Sequence, residues 1–405
     1  MIMREKINFA WPVTSENAIV YRHLLSKVEQ FKNLLIGKRV VIFGAGIRGC
    51  CLLHILEQDG FKNIIFCDNN IQKQGHLINE YSIVSFDEAR GYEGEQIFLI
   101  SPEDSGAMSS QLTKIGFYEE KDWLSFEFSV YDAYIAEYLR FVNGHALFMG
   151  DCAFSHIALT DQSTDSLGDM IKTCIGENRC KVLAMHGIGQ QASYHIIHSL
   201  LHKGERPSVV VLLLVMEVLT PKSHLMPRTQ HPTLMRSLVE AISNPPTPFV
   251  EYAKLAQERF DRLQVESFAS FMADKSAANE KLYMKMNYLF KLRESTEGVR
   301  YLKKNISLLN NEQIPIVLYV PPVNYMQGEE FFGVNFKLKY RENFATLYQF
   351  LDNEDLHYTV ADASFLLTQK EFAAKNTIDE TSNFAGRKKL LDFLSKNELL
   401  QPMFG

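Results

Sequence analysis

The sequence is short of the features that would place it in several broad classes. Its six cysteines (Cys50, Cys51, Cys67, Cys152, Cys174, Cys180) form no CxxC pair and no zinc-type spacing, so they read as unbridged thiols and no metal is expected. No apolar stretch approaches the ~20 residues that span a bilayer, and the longest run, Val209 to Leu219, reads as a buried strand. The first residues, MIMREKINFAWPVTSEN, hold no uninterrupted apolar segment of the secretory kind, which sets the expectation of a cytoplasmic protein under reducing conditions. No long basic run occurs, and 42 basic residues against 48 acidic ones leave a net charge of −6. That balance excludes the electrostatic footprint of a duplex nucleic-acid or anionic-membrane binder and leaves a small-molecule or carbohydrate substrate as the expected partner. Internal repeats and low-complexity tracts are absent as well.

What remains is ordinary globular composition, 46% hydrophobic and 22% charged over 405 residues, enough for two or three domains with real cores. Residues 16 to 36 carry apolar positions at helical spacing and stop at Gly37, which predicts an N-terminal helical extension over 1–37 packed beside the first domain. From Lys38 the order is strand, glycine turn, helix, strand: RVVIF, GAGIRG, CCLLHILEQDG, NIIFCDNN. YSIVSF and QIFLIS continue a parallel sheet, giving a first α/β domain over 38–128. A second alternation gives strands at HALFMG, KVLAMHG, VVVLLLVME, IPIVLYVPP and HYTVAD, a second domain over 140–405. A helical insertion at about 234–309, broken by SNPPTP, separates its third and fourth strands. The fold class expected is α/β, two doubly wound parallel sheets.

The first chemical signal is Gly44, Gly46 and Gly49 in GxGxxG, directly after a β-branched strand and before a helix, with Asp68 at the end of the next strand. The first glycine allows the tight turn, the second lets a pyrophosphate approach, and the third lets helix and strand pack. Amides at the start of the helix, near Ile47 and Arg48, meet the phosphate charge, and Asp68 accepts from ribose hydroxyls. The region from Lys38 to Phe126 resembles the NAD(P)-binding Rossmann superfamily, and within it the compact domains on sugar-modifying proteins. The resemblance implies a nucleotide ligand, with NAD(P) and a nucleotide sugar as equal candidates. Only one mononucleotide-binding half is evident, and no Tyr-x-x-x-Lys helix follows to supply a hydride-transfer acid, which argues against a nicotinamide oxidoreductase.

The second signal is the set of polar residues at strand ends in the second domain, where ligands of open parallel sheets collect. Gly150, Asp151 and Cys152 follow the first strand, His186, Gly187 and Gly189 the second, Glu217 the third, and Asn324 and Tyr325 the fourth. Asp379 stands in the last loop. FMGDCAFSHIAL, MHGIGQ and DETSNFAGRKKLLDFL resemble the SGNH (GDSL-like) hydrolase superfamily in block order. That resemblance implies Cys152 at the nucleophile position, Gly187 or Gly189 in an oxyanion hole, and Asp379 as orienter of a base. The sequence departs from the pattern: cysteine replaces serine, no histidine follows His357, and Glu217 stands where Gly-x-Asn-Asp is expected. His186, at a neighbouring strand end, is the substitute base, because a thiol needs help to ionise.

Plainer roles compete at each position. Cys152 is equally a small buried hydrophobe, His186 a turn residue, and Asp151 a helix cap. Glu217, ending an apolar run, must be paired, hydrated or shifted in pKa. The loop TPKSHLMPRTQHP offers Arg228 and His231 for substrate binding, and PPVNYMQGEEFFG offers Asn324 and Tyr325. Two functions follow: a sugar- or polysaccharide-modifying enzyme working by acyl transfer or ester hydrolysis, or a non-catalytic binding or scaffold protein of a surface-polysaccharide pathway with a decayed hydrolase site.

Overall fold

The computed structural model describes residues 15–103, 105–221, 230–263, 277–373 and 381–405, without the side chains of 262–263 and 277–280. The protein is α/β, and the chain divides at Val130/Tyr131 into two compact units.

Unit 1 opens with helix α1 (Ala18–Leu35), started by the Asn17 side chain accepting from the Ile19 amide at 3.0 Å and stopped before Gly37, whose φ is +80°. Its apolar stripe, Val20, Leu24, Val28 and Leu35, is buried. The helix packs on α2 (Ile47–Gln58) within the first unit. The sheet holds β1 (Arg39–Phe43), β2 (Ile64–Cys67), β3 (Leu77–Ile78), β4 (Tyr81–Val84), β5 (Gln96–Ile100) and β6 (Trp123–Ser125) in the order β3-β4-β2-β1-β5-β6. All neighbours run parallel except β3, which closes one edge as an antiparallel partner of β4. The strand order reverses beside β1, so the sheet extends on both sides of the glycine turn. Phe43, Phe86 and Phe98 meet in one core, with the Phe43 and Phe86 rings stacked at 5.5 Å.

Unit 2 holds a five-stranded, fully parallel sheet: β7 (Ala146–Gly150), β8 (Cys180–Ala184), β9 (Val209–Leu213), β10 (Ile316–Val320) and β11 (Thr359–Asp362), in the order β8-β7-β9-β10-β11. Parallel sheets are covered on both faces, which is why β7, β9 and β10, buried throughout, read as apolar runs. All five residues of β9 are buried, at about 1.5–3 kcal/mol for each large aliphatic side chain. Between β9 and β10 lie α9 (Pro232–Ala241), α10 (Thr247–Leu263), α11 (Ala277–Tyr288) and α12 (Glu297–Asn311), with the break at 243–246 where SNPPTP predicts it. The remaining helices that position the site are α5 (Val130–Leu139), the single turn α6 (Cys152–Ser155), α7 (Leu167–Ile175), α8 (Gln190–His202), α13 (Tyr325–Phe332), α14 (Asn335–Asp352) and α15 (Phe384–Ser395). Among the described residues no helix is long and apolar enough to cross a membrane.

Candidate functional site

In unit 1 the register sets Phe43 opposite Cys67 and Ile100, so the turn after β1 lies between Asp68 and Ser101. Gly44 adopts φ +113°, and a Cβ there would lie 2.8 Å from the Ser101 hydroxyl. A Cβ on Gly49 would lie 2.1 Å from the Gly44 carbonyl oxygen, which is the close packing of helix on turn expected of the third glycine. Gly46 starts α2, and a Cβ on it would meet nothing within 4 Å.

The residues around this turn do other work. Asp68 Oδ2 accepts from the Ala45 amide at 2.8 Å and from Lys73 Nζ at 3.0 Å, and Oδ1 accepts from the Asn70 amide at 2.8 Å. Lys73 also donates to the Ala45 carbonyl at 3.1 Å, so the aspartate braces the glycine turn, and both its oxygens are engaged where a ribose would need one. Arg48 turns back to donate to the Phe128 carbonyl at 2.8 Å and lies 3.6 Å from Glu103. Ile47 stands 56% exposed at the helix start. Asp68 and Arg48 are thus committed to contacts within this unit. A hollow of about 670 Å³ lined by Glu57, Tyr81 and Lys62 lies at the opposite, amino-terminal end of β2 and β4 and has no part in this turn.

In unit 2 the register pairs Gly150 with Ala184, and the Met185 amide donates to the Gly150 carbonyl at 2.9 Å. Cys152 and His186, each two residues past this pair, thus lie at neighbouring strand ends. Gly150 is required by packing, since its Cβ would come within 2.7 Å of Leu213 Cβ. Asp151 is 6% exposed, and its Oδ1 accepts from the Ala153 amide at 2.9 Å, the capping role. Cys152 is half-buried on the first turn of α6, and His186 is exposed. The His186 ring stacks on His156, with centroids 5.7 Å apart and planes at 15°. His156 ends α6 four residues after Cys152, and its Nδ1 is enclosed without a hydrogen-bond partner among the described residues. This histidine was not singled out from sequence; its i+4 spacing from the cysteine is the signal that points to it.

Gly189 sits directly before α8 as its N-cap, with Gly187 at φ +64° in the preceding turn. His231, 7% exposed and in the left-handed region at φ 44°, sends Nε2 to the His186 carbonyl at 2.8 Å and so holds that turn from beneath. Glu217 accepts from the Tyr283 hydroxyl at 3.0 Å, which answers the pairing its position demands. Asn324 is 1% exposed at the end of β10: its Oδ1 caps α13 by accepting from the Gln327 amide, while Nδ2 is enclosed with no partner among the described residues. Tyr325 lies under the Lys337 ammonium, 3.6 Å from its ring centroid. Arg228 and Asp379 lie outside the described residues.

The thiols separate by environment. Burial pushes Cys50 up to about 11, Cys67 up to about 12 with the Asp68 charge adding to it, Cys180 up to about 11, and Cys51 well above its ordinary value. These four stay protonated and unreactive at neutral pH. Among the described residues no group of three or more His, Cys, Asp or Glu side chains is arranged to hold a metal ion. No family model matches the chain, and no curated protein matches it.

Proposed function

We propose that unit 2 is an acyl-transfer or ester-hydrolysing domain acting on a sugar or sugar-linked substrate in the cytoplasm, with Cys152 as nucleophile. The observation that carries this reading is Cys152 on the turn after β7, with His186 at the neighbouring strand end stacked on His156, four residues after the cysteine. In the proposed step His186 takes the thiol proton, Sγ bonds to the acyl carbon, and the backbone amides at Cys152 and Gly189 steady the oxyanion. The carbon–oxygen bond then breaks, the leaving alcohol receives the proton from the imidazolium, and water or a second hydroxyl resolves the thioester. Asp151 fixes the turn that carries the nucleophile, His231 fixes the turn that carries the base, and Glu217 lies at the third strand end with Tyr283. Asp379 is a candidate for orienting the base.

Unit 1, on this reading, is a Rossmann-like domain whose α2 amides and Gly46 hold the phosphates of a nucleotide sugar or of NAD(P), which serves there as a handle for binding. A second reading, a binding or scaffold protein without turnover, is favoured by the departures from the hydrolase pattern, cysteine in place of serine at 152 and no histidine after His357. A 4-nitrophenyl acetate assay on the full chain separates the two. The enzymatic reading expects an acetyl adduct on Cys152 by intact mass and loss of turnover in Cys152→Ala; turnover unchanged in Cys152→Ala removes it.

A further inference from the structure

The carboxyl edge of the unit 2 sheet holds a second feature three strands from Cys152. Beyond the end of β11 lies a hollow of about 160 Å³ lined by Tyr340, Arg341, Phe344, Tyr348, Asp362 and Phe365. On that scale one water takes about 10–15 Å³, so the space suits on the order of ten heavy atoms. The rings of Tyr340, Phe344 and Tyr348 come from successive turns of α14 and form one wall. Phe365 closes it, 5.7 Å from Tyr340 and at 62° to it.

Two charged groups face this space with capacity unspent. Asp362 uses Oδ1 to accept from the Ser364 amide at 2.9 Å and its hydroxyl at 2.5 Å, and no described residue bonds its Oδ2. Arg341 lies over the Phe365 ring at 5.1 Å and has no carboxylate partner among the described residues. Lys337, by contrast, is engaged by Glu329 at 3.5 Å and by the Tyr325 ring. One carboxylate and one guanidinium leave the lining without net charge, so neither an anion nor a cation is favoured. Aromatic faces, a carboxylate acceptor and a guanidinium donor match a ring with apolar C–H faces and a girdle of hydroxyls.

We propose that this hollow binds a neutral pyranose ring as a distal subsite of the sugar-linked substrate. The proposal rests on the functional reading above for the substrate's chemistry, and the binding itself needs no thiol. Three strand spacings of ~4.8 Å put the hollow about 14 Å from Cys152 along the sheet edge, so the bound ring is one or two sugars away from the one that reacts. The unpartnered Asn324 Nδ2 lies at the intervening strand end, and the Val323 amide, bonded to the Ser364 carbonyl at 3.0 Å, ties the two loops together.

The test is titration calorimetry on the full chain with methyl glucopyranoside, methyl galactopyranoside and N-acetylglucosamine, with tetramethylammonium and inorganic phosphate as charged probes. Saturable binding of a neutral pyranoside in roughly the millimolar range is expected, weakened about tenfold or more by Asp362→Asn and by Arg341→Gln, both at exposed positions, and unchanged in Cys152→Ala. No pyranoside binding up to ~100 mM, binding that survives both variants, or preferential binding of either charged probe overturns the proposal. Pyranoside binding beside an inert Cys152 would remove the catalytic reading alone.

Discussion

The imidazoles of His156 and His186 stack at 5.7 Å, one carried by the turn that carries Cys152 and the other by the neighbouring strand end. In a Cys174→Ser background, which removes the one fully exposed thiol, iodoacetamide at pH 7 is expected to label Cys152 first. His186→Ala should slow that labelling by about tenfold or more, read by intact mass, and an unchanged rate would remove His186 as the base.

The glycine turn predicts a separation of folding from binding. Gly49→Ala drives a methyl into the Gly44 carbonyl oxygen and should cost about 2–4 kcal/mol in urea unfolding of unit 1. Gly46→Ala meets open space at an ordinary φ of −117° and should leave stability within ~0.5 kcal/mol. A nucleotide-dependent thermal shift seen in the parent should vanish in Gly46→Ala, because the added methyl occupies the phosphate approach.

Stability of unit 2 should fall as the medium is acidified from about pH 6.5 to about 4. His195, 6% exposed and stacked on Tyr252 at 4.3 Å, is pushed down to about 4 by burial, with His198 and Lys304 adding to it. The unfolded chain takes up the proton below its ordinary pKa near 6.5 while the folded chain does not, so stability is lost across that window and levels off beneath it. The full span is worth about 3 kcal/mol, and His195→Phe should flatten the slope measured by hydrogen exchange in α8.

Arg387, 1% exposed, spends Nη1 on Asp161 at 2.7 Å and on the Ser382 carbonyl at 2.8 Å, while Asp161 Oδ1 accepts from the Phe384 amide at 3.0 Å. This pair fastens the start of α15. Asp161→Ala strands a buried guanidinium and should cost about 3–5 kcal/mol, whereas Asp161→Ala with Arg387→Met should cost less than the sum of the two single changes. Denaturant midpoints of the four proteins give the coupling.

The parallel strands were legible because a strand buried on both faces must be apolar throughout, as in Val209–Leu213 and Ile316–Val320. The strand β3 was not, since two residues at a sheet edge carry no pattern. Cys152 and His186 could be placed at strand ends because the glycines behind them mark where each strand stops. The engagement of Asp68 by Lys73 and the Ala45 amide was illegible, because it depends on the chain folding back after Asn70 and leaves no periodicity. His156 was hidden by the apolar residues that follow it, and the aromatic stripe of α14 has the spacing of any core-facing helix.

β9 and β10 pair with Leu213 opposite Tyr319, so the middle of the unit 2 sheet closes only after the whole helical segment between them has been made. During synthesis the VVVLL strand waits with one side of its backbone unpaired, the arrangement most open to association between neighbouring nascent chains. The helices that separate the two strands therefore govern how long that edge stays uncovered, and with it the yield of native protein.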